Sequence, residues 1–255
     1  MSSEKRFGYE WNKYSFMNPA YEGQFRGWIY PLTNEDFKGK IVLDAGCGMG
    51  RNSYWPLNWG AEKVISFDYD KRSVEVAQKT LGKFSNSEVI FKSIYEIDWQ
   101  NKFDIAFSVG VVHHLKNPSL AIDNMIKSLK SGGILLVWVY SLEGNEWIVR
   151  FVSPIRKRLT SKLPLTLVHF LSYFCSIPLW FYIKLFNKKN EYLKQLSAFK
   201  FWHIHSIVFD QLIPDVANYW SQKEVLELFN KPELKDLRII RPPNNCGWTV
   251  VGVKK

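Results

Sequence analysis

The sequence predicts an α/β fold: a mostly parallel, helix-covered sheet with a large helical insertion near its end. Three observations predict it. Short apolar runs alternate with helical stretches over residues 39–141. The first of those runs ends in Asp44-Ala-Gly46-Cys47-Gly48-Met-Gly50, with glycine at every second position. The alternation breaks after residue 141 and resumes near Tyr219 with one more helix and two strands.

Taken in order, Lys40–Ala45 (KIVLDA) is an apolar run ending at the glycines and reads as a buried parallel strand. Lys63–Asp68 (KVISFD) is the second strand, and Lys71–Leu81 is a helix closed by Gly82. Val89–Lys92 and Phe103–Ser108 are the third and fourth strands. Asn117-Pro118 opens a helix with a capping Asn and Pro at its first position. Leu120, Met125, Ile126 and Leu129 populate its apolar face, and Ser131-Gly132-Gly133 is expected to stop it. Ile134–Tyr140 is a fifth, strongly apolar strand. Ser221-Gln-Lys-Glu224 is a capping box for a helix over Gln222–Phe229. Leu237–Ile240 and Trp248–Val253 follow as strands joined so closely that they must be antiparallel.

Composition excludes several classes. The 255 residues, 46% hydrophobic and 23% charged, are those of a globular chain, too apolar for disorder. Cys47, Cys175 and Cys246 are odd in number and far apart, so neither a disulfide framework nor a zinc site is expected, and no metal. The N-terminal MSSEKRFGYEW has no apolar core of signal-peptide length, so a cytoplasmic catalytic part is expected. Four parts emerge: an aromatic lid segment (1–38), a cofactor-binding core (39–141), a basic, aromatic and apolar insertion (142–218), and the last helix and hairpin of the core (219–255).

The glycine run decides the chemistry. Glycines let a backbone approach a ligand closely and adopt positive φ, and the following helix presents free N–H groups. A pyrophosphate site favours Gly-x-Gly-x-x-Gly, whereas the third glycine here comes one residue early and Arg51 follows it. Asp44 inside the turn is poorly suited to a pyrophosphate and suits a cationic ligand. Asp68 ends the second strand 24 residues later, where a carboxylate can accept both ribose hydroxyls of an adenosine.

With these residues, and with Phe103-Asp-Ile-Ala-Phe-Ser-Val-Gly-Val-Val-His-His-Leu, the sequence resembles the class I S-adenosylmethionine (SAM)-dependent methyltransferases. Within them it is similar to the methyltransferase type 11 group, which includes ubiquinone-pathway enzymes. The resemblance covers 39–141 firmly and extends to 219–253. It implies a Rossmann-like, seven-stranded sheet ending in an antiparallel hairpin, with SAM as cofactor. It also implies that Gly46, Cys47, Gly48 and Gly50 form the turn around the methionine end, that Asp68 holds the ribose and that Tyr69 lies near the adenine. Val109, at the end of the fourth strand, belongs to the same site. The family often places Asp in the loop after the third strand. Here that loop reads Lys92-Ser93-Ile94-Tyr95, so Ser93, Ile94 or their backbone must substitute.

An enzyme of this kind chiefly positions a nucleophile in line with the methyl group. An oxygen nucleophile of high pKa also needs a base, and carbon is the next choice of acceptor atom. His113 and His114, just after the fourth strand, are the candidate bases, and Tyr140 ends the fifth strand at the same edge. The competing readings are a pair of histidines that only shape a loop and a packed aromatic. Tyr9, Trp11 and Tyr14 fit either a lid or plain packing, and Asn244, Asn245 and Trp248 fit either an acceptor contact or a hairpin turn.

The net charge of +10 is concentrated in one segment of the insertion: Ile148–Phe209 holds ten basic residues against one acid, Glu191. Within it, Leu163–Ile183 runs for 21 residues without Asp, Glu, Lys or Arg. A membrane-spanning helix is rejected, because the last strands must join the same sheet as the first five, and because Pro164 and Pro178 interrupt the stretch. A buried helical cap and an interfacial hairpin on anionic lipid remain. The second reading fits a peripheral location on the inner face of a membrane and a lipid-linked or hydrophobic acceptor, such as a quinone precursor or polyprenyl-linked glycan. Two alternatives stand beside it: an RNA methyltransferase using the basic insertion, and a SAM-binding partner subunit without catalysis.

Overall fold

The computed structural model describes residues 6–7, 17–186, 191–242 and 247–255. Strands β1 (Ile41–Ala45), β2 (Lys63–Asp68), β3 (Ser87–Phe91), β4 (Phe103–Val109), β5 (Leu129–Tyr140), β6 (Leu234–Ile240) and β7 (Gly247–Lys254) form one sheet of order β3-β2-β1-β4-β5-β7-β6. The first five pair in parallel, while β7 is antiparallel to both β5 and β6. The expected Rossmann-like sheet and its antiparallel hairpin are therefore present. The order reverses beside β1, so the carboxyl ends of β1 and β4 face the crevice in which such sheets bind ligands.

Side chains alternate across the sheet. Leu43, Ile65, Ala106, Leu135 and Val137 face one way, onto Met125 and Ile126 of helix α5 (Pro118–Ser128) and Val225 and Phe229 of α10 (Gln222–Phe229). Val42, Val64, Ile105, Phe107 and Leu136 face the other, onto α1 (Ala20–Ile29), α2 (Asn34–Phe37), α3 (Arg51–Asn58) and α4 (Lys71–Leu81) through Phe25, Phe37, Trp55 and Leu81. The expected caps are formed: Asn117 accepts from the Leu120 N–H, and Ser221 with Glu224 closes a capping box.

Two local expectations are corrected. Helix α5 ends at Ser128, and β5 begins five residues earlier than expected, so Gly132 and Gly133 lie inside the strand. They serve a bulge there. The pairing of β4 with β5 shifts register between Phe103 and Ile105, Gly132 has φ 77°, and a Cβ on Gly133 would lie 3.0 Å from the Phe103 carbonyl. Leu120 is exposed, and the apolar face of α5 runs through Ala121, Ile122, Met125 and Ile126. Gly82 closes α4 as expected, in an ordinary right-handed conformation.

Between β5 and α10 the chain builds the cap. A π-turn (Ile148–Val152) runs into α6 (Ser153–Arg158), followed by α7 (Leu165–Leu185), α8 (Glu191–Leu196) and α9 (Phe201–Leu212). The uncharged stretch is one continuous helix, not an interrupted hairpin: Pro164 caps α7 and Pro178 is accommodated within it. Among the described residues, α7 is the one helix long and apolar enough to cross a membrane. It lies along α9: Val168 packs with Phe209 and Ile213 near one end, and Ile183 with Leu196, Phe199 and Ile204 near the other.

Arg156, one of the ten basic residues of the insertion, does not reach the surface. It is fully buried, donating to the Gln211 carbonyl at 3.2 Å and to Ser153 Oγ at 3.0 Å. Tyr9, Trp11 and Tyr14, and likewise Asn244 and Asn245, lie outside the described residues. Trp248 is buried, with its indole N–H on the Trp220 carbonyl, and so does not face an acceptor.

Candidate active site

The turn after β1 is built to bring backbone close to a ligand. Gly46, Gly48 and Gly50 have φ of 84°, 54° and 82°, the left-handed region that favours glycine. At Gly46 space is also closed, since a Cβ would lie 2.6 Å from the Val111 side chain. The Gly46 and Cys47 N–H groups donate to the Phe67 carbonyl at 3.0 and 2.9 Å, tying the turn to the end of β2. Gly48 N–H donates to Asp68 Oδ2 at 2.9 Å, while Asp68 Oδ1 accepts from the Asp70 N–H at 2.9 Å. The carboxylate is thus fixed between two turns, with lone pairs left over. Burial pushes its pKa up to about 6 against those two N–H groups, which act to lower it.

These residues open onto one cavity of about 980 Å³. Gly46, Cys47, Gly48, Asp68, Tyr69, Ser93, Ile94 and Val109 all line it. Tyr69, half exposed, lies flat on Phe91, with ring centroids 5.6 Å apart and planes at 14°. Two expected contacts fall elsewhere. Asp44 does not line the cavity. It is buried beneath the turn, where it accepts from Ser53 Oγ at 2.5 Å, and burial pushes its pKa up to about 7. Gly50 instead opens α3, against Leu81 and Ala77 of α4. Cys47 is buried and its thiol is pushed well above the ordinary range, consistent with a small filler.

The two histidines separate. His113 is fully buried, stacks on Tyr140 at 3.8 Å, and does not line the cavity. Its pKa is driven well below the usual value by burial, and neither ring nitrogen meets a partner among the described residues. His114 does line the cavity. Its Nδ1 lies 2.8 Å from the Val216 carbonyl, which fixes the proton on Nδ1 and leaves Nε2 as an acceptor. Burial lowers its pKa to about 4, so the ring is neutral at neutral pH. Phe7 packs on it at 4.7 Å and also lines the cavity, the one described part of the first segment to do so beside Gln24 and Trp28.

Tyr140 lines the cavity and is held by the cap. Its hydroxyl accepts from Gln211 Nε2 at 3.2 Å, Gln211 Oε1 accepts from the Tyr219 hydroxyl at 2.8 Å, and the Tyr140 and Tyr219 rings stack at 5.1 Å. The backbone after α9 closes the joint: Asn218 N–H donates to the His113 carbonyl and Trp220 N–H to the Tyr140 carbonyl. Sequence reasoning missed Gln211, Tyr219 and Arg156. Their only signal was proximity to the resumption of the core pattern, since Arg156 looked like one of a basic triplet.

A turn without side chains, beside a carboxylate with spare lone pairs and a flat aromatic, fits an aminoacyl nucleoside such as SAM. Residues 36–164 match a family profile described as a methyltransferase domain. The chain belongs to that family, and SAM is its cofactor. Curated relatives include the tRNA U34 carboxymethyltransferase of Proteus mirabilis, 32% identical over 113 residues, which are 43% of this chain and 35% of that protein. The enzyme of the same name from Campylobacter hominis is 33% identical over 119 residues, 46% of this chain and 41% of that one. The chain thus spans well under half the length of these relatives. A SAM-dependent methyltransferase from Aquifex aeolicus shares the fold at TM-score 0.52 and 16% identity, over 94% of this chain and all of that one. Human N-acetylserotonin methyltransferase, solved with SAM, does so at TM-score 0.54 and 13% identity, over 91% of this chain and 51% of that one.

Proposed function

We propose that the methyltransferase moves the methyl group of SAM to an oxygen of a hydrophobic, lipid-linked acceptor held between the sheet edge and the cap. The observation that carries this is the wall of the cavity away from the glycine turn. Trp147, Ile148, Val152, Leu179, Leu196 and Ile207 supply it, all from the insertion. At about 980 Å³ the cavity lies at the upper end of small-molecule sites (~300–1,000 Å³), with room for a second molecule beside a cofactor.

When bound, SAM supplies a methyl group on a sulfonium, so no further activation of the electrophile is required. The chain's part is positioning, exclusion of water and handling of one proton. His114 Nε2 is the acceptor for that proton. With a pKa near 4 it is too weak to ionise an alcohol beforehand; it takes the proton as the oxygen–methyl bond forms and the oxygen becomes acidic. Tyr140, anchored through Gln211, shapes the edge at which the acceptor meets the cofactor.

A second reading is favoured by the curated relatives, whose names assign them to tRNA. Here the basic insertion would hold RNA. One experiment separates the two: incubate the protein with methyl-tritiated SAM and either a membrane lipid extract or total RNA. Label in the organic phase supports the lipid-linked acceptor. Label confined to RNA overturns it in favour of the second reading.

A further inference from the structure

The outward face of α7 is unlike the surface of a free-standing cap. Leu167, Phe170, Phe174, Ile177, Phe181 and Leu185 recur at three- and four-residue steps and are all exposed, Phe170 at 60%, Phe174 at 69% and Leu185 at 73%. The buried Val168, Ser172, Ser176 and Ile183 lie on the opposite side, toward α9. At 1.5 Å per residue the exposed stripe is about 27 Å long. Lys184 is the only charged residue in the helix. Soluble monomers rarely leave so long an apolar strip uncovered. A second exposed row, Trp147, Phe151, Ile155 and Leu159, steps by four residues along the π-turn and α6 of the same cap.

Charge identifies what covers it. No Asp or Glu occurs between Trp147 and Asn190. Exposed Arg150, Lys157, Arg158 and Lys162 precede the stripe, and Lys184 stands at its far end. Two copies of the chain meeting through this face would set cations against cations in either orientation, which disfavours a dimer. Single-stranded nucleic acid satisfies the cations and stacks on aromatics, but leaves Leu167, Ile177 and Leu185 in water. An anionic lipid bilayer satisfies both, taking the apolar stripe among its acyl chains and the flanking cations among its headgroups.

We propose that α7 lies in the plane of an anionic membrane surface and docks the cap, and with it the mouth of the active-site cavity, against the bilayer. Cys175 and Leu179, on the flank of the same helix, line that cavity, so α7 is a wall shared by the docking face and the acceptor chamber. The inference deepens the reading of a lipid-borne acceptor, but its argument stands on the surface rather than on the chamber.

The test is co-sedimentation of the full chain with vesicles of phosphatidylcholine alone or mixed with phosphatidylglycerol, with and without 0.5 M salt (on the order of a fivefold shortening of the screening length relative to 0.02 M). Binding is expected on the anionic vesicles, and it should fall with salt. The triple variant Phe170→Ser, Phe174→Ser, Phe181→Ser removes exposed side chains only, so it should keep its melting temperature and SAM affinity while losing about tenfold in vesicle binding for each aromatic removed. The charge-reversed pair Lys157→Glu, Arg158→Glu should lose the preference for anionic vesicles. Equal binding by wild type and triple variant overturns the proposal. So does a wild-type dimer that ignores vesicles and becomes monomeric in the triple variant, or RNA binding with no vesicle binding. Vesicle binding by a protein that labels only RNA would leave the docking face standing and remove the lipid acceptor.

Discussion

Lowering the pH should release SAM through one carboxylate. Asp68 accepts from the Gly48 and Asp70 N–H groups at 2.9 Å each, and its remaining lone pairs are those that the reading of this site assigns to the ribose hydroxyls. Burial has already raised its pKa to about 6. Hydroxyls that donate to it favour its ionised form, so binding opposes protonation and weakens once the proton is on. For a free-state pKa of about 6 the apparent dissociation constant scales as one plus the ratio of protonated to ionised Asp68. Between pH 6.5 and 5 that is a rise of about eightfold, approaching tenfold per unit below. Asp44 is chiefly protonated throughout this window, so the slope belongs to Asp68. In Asp68→Asn the two charge-assisted bonds to the ribose are lost, at about 1.5 kcal/mol each, or roughly 100-fold in affinity. The variant's remaining affinity should be flat over the same window. Calorimetric titration at each pH, with circular dichroism to confirm that the fold persists at pH 5, reads both quantities. An equal slope in wild type and Asp68→Asn would refute the assignment of the ribose to this residue.

Asp44, with a folded-state pKa raised to about 7, stabilises the fold when protonated and progressively less as pH rises through 7. Asp44→Asn should therefore lose less stability between pH 5 and 8 than wild type, by at most about 3 kcal/mol, measured by thermal melts without cofactor. Gly46→Ala forces a left-handed φ on a residue whose Cβ collides with Val111, at a cost of about 1–3 kcal/mol. Its SAM affinity should drop, with partial recovery when Val111→Ala makes room. His114→Ala should lower turnover by about 100-fold with the SAM dissociation constant unchanged. His113→Ala should instead lower the unfolding free energy by about 2–4 kcal/mol, because that ring packs against Tyr140 and does not reach the cavity.

Most of the sheet was legible because each parallel strand is buried on both faces and so writes itself as a short apolar run, as Lys63–Asp68 does to the residue. The cofactor edge was legible for a different reason. Positive φ at Gly46, Gly48 and Gly50 favours glycine at those positions, so the geometry leaves a mark in the sequence. Where a residue type served two geometries, the reading failed. Gly132 and Gly133 suggested a helix stop and turned out to relieve a bulge, and Asp44 suggested a ligand contact and turned out to anchor the turn through Ser53. The cap was the least legible part. Arg156 carries the same letter as its exposed neighbour Arg158, yet only the fold reveals that Gln211 and Ser153 surround its guanidinium. Helix α7 does carry a periodicity, but an inverted one: His169, Ser172 and Ser176 lie on the face turned to α9, where they meet His205, so reading the polar face as the wet one would have turned the helix the wrong way. That inversion is itself informative. A helix buried on one side and wet on the other has no physical reason to keep Phe170, Phe174 and Phe181 on its wet side, so an apolar surrounding on the second side is the condition under which the sequence makes sense.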